Sequence, residues 1–159
     1  MENFVAKPAE GRITSNQSVG ATDVHYSKYL NSDPQYPCNA VEDKYKSSCY
    51  FLQTSRMLQI FGVDFKRVAA TCSEAPGLYQ TSCFGSMGRD VGGSFPKDMQ
   101  REITECGYVA DPSHRIECLN GAVQNSFWDP SGQDLALEFC GLLTDPMEKN
   151  SCYTTIFAR

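Results

Sequence analysis

The side chains of greatest chemical potential in this sequence are eight cysteines, at positions 38, 49, 72, 83, 106, 118, 140 and 152. Thiolates bind metals, act as nucleophiles or oxidise to disulfides, and their spacing helps tell these uses apart. Structural zinc takes close pairs of the C-x₂₋₄-C kind, and none occurs here. The C-x-x-C-H run that attaches haem is also missing. Imidazole adds little, because the two histidines, His25 and His114, stand far apart in the chain. Disulfide formation is the expected chemistry, with no metal and no cofactor.

A second cluster lies in the segment 85–93, GSMGRDVGG, where four glycines flank Arg89 and Asp90. Glycine lets another backbone approach closely or lets a loop turn sharply. The segment falls short of a G-x-S-x-G nucleophile elbow, because Phe84 stands where the first glycine belongs. It also lacks the spacing and lysine of a phosphate-binding loop. Two readings follow: close packing with an internal Arg89–Asp90 contact, or a site for a small ligand or reaction. Glu102 and Glu105 share a helix face, with no partner acid or base evident from sequence. No catalytic residue is assigned.

The elements that position these residues emerge from the cysteine spacing. Successive gaps are 11, 23, 11, 23, 12, 22 and 12 residues. Alternate cysteines step by 34, 34 and 34, and by 34, 35 and 34. A period of about 34 residues is that of stacked helical hairpins. Before Cys72, Asp64 stands as a cap ahead of Phe65, Val68 and Ala69 on one helical face. Asp98 precedes Met99, Glu102 and Ile103 in the same layout before Cys106. Breaks follow at Ala75-Pro76, Asp111-Pro112 and Asp145-Pro146, where Asp-Pro reads as a cap and first helical residue. Each second cysteine then falls about two turns into the second helix. Eight cysteines allow on the order of a hundred connectivities. A repeated unit repeats its crosslink, which predicts Cys38–Cys49, Cys72–Cys83, Cys106–Cys118 and Cys140–Cys152.

Superposing the units on their second cysteine gives columns. The next residue is Tyr50, Phe84, Leu119 or Tyr153, a core column. Seven residues after the cysteine stand Arg56, Asp90, Asn125 and Arg159, a polar column. Such a column is either a partner-binding stripe or a solvated face. Trp128 lies at the junction before the last unit, as a packing residue or an exposed anchor. The candidate binding residues are therefore Arg56, Arg89, Asp90, Asn125, Trp128 and Arg159. His114, just after a helix start, is expected at the surface.

Residues 1–24 read as a flexible, polar N-terminal arm or linker, without the apolar core of a signal peptide. A removed signal or anchor, or an origin within a longer exported chain, would reconcile this with so many cysteines. Residues 25–159 form the helical-repeat domain, about three and a half units. Two prolines before Cys38 spoil the first helix, and a short helix over residues 22–30 replaces it. Tyr26, Tyr29 and Tyr36 cluster there, as a docking patch or a cap. The C-terminal unit lacks a polar capping helix, which points to contact with another protein or with further residues of a longer chain.

Composition bounds the rest. Hydrophobic residues at 41% and charged residues at 21% suit a folded chain, neither disordered nor membrane-spanning. A net charge of −5 offers no broad footprint for nucleic acid. Disulfides on this scale imply an extracytoplasmic compartment: periplasm, cell surface or exterior.

Hairpins of this period resemble tetratricopeptide-type solenoids and their cysteine-rich secreted relatives, over about residues 38–159. The Trp…Leu-Gly…Tyr signature of the tetratricopeptide is absent. The segments opening at Cys49 (CYFLQTSR), Cys83 (CFGSMGRD) and Cys118 (CLNGAVQN) resemble exported bacterial cysteine-rich repeat proteins. The expected fold is all-α, a short α-solenoid of antiparallel hairpins with one disulfide in each. The resemblance implies a protein-binding or scaffold role; the expected function is a non-enzymatic module of that kind, as an accessory subunit of a larger envelope or membrane-associated complex. The alternative is an enzyme or small-ligand binder around Arg89 and Asp90.

Overall fold

In the computed structural model, the described residues are 32–127 and 129–157, and they form seven helices and no strands. These are α1 (Asp43–Phe61), α2 (Phe65–Glu74), α3 (Gly77–Ser94), α4 (Met99–Cys106), α5 (Pro112–Ser126), α6 (Gly132–Leu142) and α7 (Pro146–Phe157). The arm over residues 1–24, the helix over 22–30, His25, Tyr26, Tyr29, Trp128 and Arg159 lie outside the described residues.

Aspartates start four of the helices by accepting backbone N–H groups that have no partner within the helix. Asp64 accepts from Arg67 and Asp98 from Arg101, both at 3.1 Å. Asp111 accepts from His114 at 3.0 Å, ahead of Pro112. Asp145 accepts from Met147 at 2.9 Å and Glu148 at 3.0 Å, ahead of Pro146. The start of α3 has no such cap, because Pro76 occupies that position. There Gln80 Nε2 instead donates to the carbonyls of Ser73 and Ala75, both at 2.9 Å, tying α3 to the end of α2.

All eight cysteines are paired, in the four crosslinks that the period predicts. Cys49, Cys83, Cys118 and Cys152 are each the seventh residue of α1, α3, α5 and α7. Their partners Cys72, Cys106 and Cys140 lie in the last turn of α2, α4 and α6. Each bond therefore joins two helices across a short connection, with Cα separations of 5.5 to 5.7 Å. Cys38 lies in the turns over 34–40, where the prolines leave no helix. The buried Gln53 amide holds those turns against α1, donating to Pro34 O at 2.7 Å and Tyr36 O at 2.8 Å. Gln35 Nε2 reaches Thr71 O on α2 at 2.6 Å.

Each of α1, α3, α5 and α7 packs on the next in that order, and α2, α4 and α6 fill in beside them. Tyr50, Phe84 and Leu119 are fully buried, while Tyr153 packs at the margin of the same core. Full burial of one such side chain contributes roughly 1.5–3 kcal/mol. The expectation that His114 lies free at the surface needs correction. Its ring stacks on Phe84 with centroids 4.8 Å apart, and only 21% of the side chain is exposed.

α3 and α5 meet backbone to backbone. A Cβ on Gly88 would lie 1.8 Å from Cys118 O, and one on Gly121 would lie 2.2 Å from Gly85 O. Glycine at both positions lets the two backbones touch. Segment 85–93 is uninterrupted helix with close packing at Gly88, and no loop turns there.

Candidate functional site

Arg89 and Asp90 sit where α3 crosses α1. Asp90 Oδ2 accepts the Thr54 hydroxyl at 2.7 Å, and the Ser55 hydroxyl reaches both carboxylate oxygens at 3.0 and 3.1 Å. Thr54 Oγ1 also lies 2.5 Å from Ser86 Oγ. A carboxylate only accepts, so Thr54 spends its one proton on Asp90 and Ser86 donates to Thr54. Ser86 in turn accepts from Arg89 Nη2 at 3.1 Å, and that nitrogen stands 3.5 Å from Asp90 Oδ1. The four side chains close a ring, and its two hydroxyl residues are fully buried. Arg89 Nη1 donates to Phe51 O at 3.0 Å, and the guanidinium lies 5.0 Å from the Phe51 ring centroid. The pair is thus held by α1 from two sides.

Beside this ring runs an open groove of about 620 Å³, lined by Phe51, Gly85, Arg89, Glu117, Asn120, Gly121, Gln124, Asn125 and Phe127 among others. Because Gly85 and Gly121 carry no side chains, they form a low floor between α3 and α5. Asn120, Gln124 and Asn125 bring amides, each with donors and an acceptor. Asn120 Nδ2 also donates to Ser151 Oγ on α7 at 3.1 Å.

The predicted binding residues come only partly together. Arg89 and Asn125 line the groove, whereas Asp90 turns its carboxylate to α1. Arg56 Nη1 donates to Gln59 on its own helix at 3.0 Å, and Arg56 is not part of the groove lining. Among the described members of the polar column, Arg56, Asp90 and Asn125 make different contacts.

Sequence reasoning missed a second concavity. A cavity of about 220 Å³ is lined by Gly92, Pro96, Lys97, Met99, Glu102, Asn125, Ser126, Asp129 and Leu135. Glu102 is 3% exposed, and its Oε2 has no hydrogen-bond partner among the described residues. Burial pushes its carboxyl up to about 7, and the Asp98 carboxylate adds to the rise. Glu105, which shares its helix face, is satisfied by Arg101 Nε at 2.7 Å. Across the cavity, Asp129 pairs with Lys97 Nζ at 3.0 Å. The Ser131 backbone N–H and Lys97 hold the Asp129 carboxyl down to about 2. The sequence signal was present, since Glu102 stands four residues after Asp98 as the buried Val68 stands four after Asp64.

Among the described residues, no group of His, Cys, Asp and Glu is placed to hold a metal ion. No helix among them is long and apolar enough to cross a membrane. The described residues define an all-helical, disulfide-crosslinked protein with an open groove. No family model, curated protein or solved structure matches the chain.

Proposed function

We propose that the chain is a non-enzymatic protein-binding or scaffold module, an accessory subunit of a larger envelope or membrane-associated complex. In this reading the helices form a short α-solenoid of tetratricopeptide-like hairpins. The regular spacing of the four crosslinks and the successive packing of α1, α3, α5 and α7 support it. The observation that carries the binding role is the groove over Gly85 and Gly121. Its occupant is an extended segment of a partner protein. The Gln124 and Asn125 amides match the alternating donors and acceptors of a peptide backbone, and Phe51 offers an apolar contact. Disulfides persist in oxidising compartments, which supports a location outside the cytoplasm.

A photo-crosslinking residue in place of Gln124, with the same residue in place of exposed Lys66 as control, tests this in native envelope preparations. A discrete protein adduct from position 124 alone is the expected result. Equal labelling from both positions, or none from 124, overturns it. The second reading, an enzyme or small-ligand binder around Arg89 and Asp90, draws support from Arg89 lining the same groove. It has less to work with at Asp90, whose oxygens already accept the Thr54 and Ser55 hydroxyls.

A further inference from the structure

We infer that the cavity bounded by α3, α4, α5 and α6 binds a small primary ammonium compound, with the Glu102 carboxylate as its acceptor. A buried oxygen without a hydrogen-bond donor is costly, so whatever fills the cavity is favoured for bringing one. Glu102 Oε2 is such an oxygen, on a residue that is 97% buried by its 3% exposure. The cation beside it is already committed, because Lys97 pairs with Asp129 at 3.0 Å. With Glu102 ionised, the lining therefore carries one uncompensated negative charge, which selects a cation and rejects an anion. A metal ion is a poor match, because no third carboxylate, histidine or free thiol converges there. An ammonium group suits the donors and acceptors present: Asn125 and Ser126 add further oxygens to the lining. Met99, Leu135 and Pro96 add apolar lining, which suits a short alkyl chain. At about 30 Å³ per water in the liquid, 220 Å³ admits a ligand of only a few heavy atoms.

The charged groups around Glu102 can be named element by element. Asp98 begins its own helix, Lys97 comes from the α3–α4 connection and Asp129 from the α5–α6 connection. The lining residues from α3, α5 and α6 are uncharged: Gly92, Asn125, Ser126 and Leu135. The ligand takes Glu102 in its ionised form, so binding releases the Glu102 proton to solvent. An alkylamine, like lysine with its ordinary value of about 10.4, stays protonated throughout. Affinity therefore rises about tenfold between about pH 6 and pH 8, following ionisation of a carboxyl near 7.

The test is titration of the full chain with n-propylammonium chloride, read by backbone amide NMR, with propan-1-ol as the neutral counterpart. Saturable shifts at Gly92, Asn125 and Ser126, about tenfold tighter at the higher pH, are expected for the amine and not for the alcohol. Glu102→Gln keeps the shape, removes the charge and should abolish binding without lowering the melting temperature. Leu135→Phe, which fills the cavity with Glu102 intact, should abolish it too. No saturable shift, an equal response to propan-1-ol, or undiminished binding by folded Glu102→Gln or Leu135→Phe overturns the assignment.

Discussion

Gly88 on α3 lies so close to Cys118 on α5 that a Cβ on the glycine would fall 1.8 Å from the cysteine carbonyl oxygen. That oxygen belongs to the backbone, so it cannot swing aside as a side chain would, and the helices must separate instead. Gly88→Ala is expected to destabilise the fold by about 2–3 kcal/mol through overpacking. Gly85, one turn earlier on the same helix, has nothing within 4 Å of its would-be Cβ. Gly85→Ala should be neutral or stabilising by up to about 1 kcal/mol, from helix propensity alone. Chemical denaturation of the two variants separates them, and equal midpoints would contradict the close crossing.

Asp90→Ala should cost about 2–3 kcal/mol, because it takes the acceptor from the buried Thr54 hydroxyl and from Ser55 and leaves Arg89 without its carboxylate. A double-mutant cycle with Thr54→Val should return a coupling of about 1 kcal/mol or more. Independent, additive effects would mean that the ring across α1 and α3 is not a unit. A site with no structural duty would lose its activity and keep its stability.

Stability should fall as pH rises from about 4.5 to about 7. Glu102 has a folded-state carboxyl raised to about 7 from an ordinary 4.5. Across that window the folded state holds a proton that the unfolded chain has released, so raising the pH favours unfolding. The full effect is on the order of 3 kcal/mol and levels off above neutrality. Asp129, held down to about 2, works oppositely and only in acid: its contribution is lost as pH falls below the ordinary 3.8. Glu102→Gln should flatten the slope between pH 4.5 and 7 and leave the acid limb unchanged, as read from urea midpoints across pH.

Native-state reduction should open Cys38–Cys49 before the other three crosslinks. Cys49 is the only cysteine not fully buried, and its partner lies in turns where no helix protects it. Timed alkylation with mass spectrometry reads the order, and earlier loss of Cys72–Cys83 would contradict it. Replacing both Cys72 and Cys83 by alanine should cost roughly 3 kcal/mol, the loop-closure value for a crosslink of this span.

Much of the architecture was legible because it is written locally. The Asp caps at 64, 98, 111 and 145 act on N–H groups two or three residues away, so sequence and structure report the same contact. His114 shows where this fails. Its position two residues after Pro112 suggests a solvated side chain, but the surface it meets belongs to Phe84, 30 positions earlier. The candidate site was legible in its residues and not in their duties. Arg89 and Asp90 stand out beside four glycines, yet nothing nearby in the chain shows that Asp90 turns to Thr54 and Ser55.

The sequence alone determined the helical class, the Asp-capped helix starts and the four disulfide partners. A crosslink spanning 11 or 12 residues is a short-range event, and its repetition leaves a visible period. Only the tertiary structure decided which faces meet. The crossing of α3 on α5 turned two glycines into a contact and opened the groove. The packing of α4 against α2, α3 and α5 buried Glu102 beside a cavity with one oxygen unmet. Those outcomes depend on distances between residues some 20 to 40 positions apart, set by side-chain volume and helix crossing, for which the chain carries no local pattern.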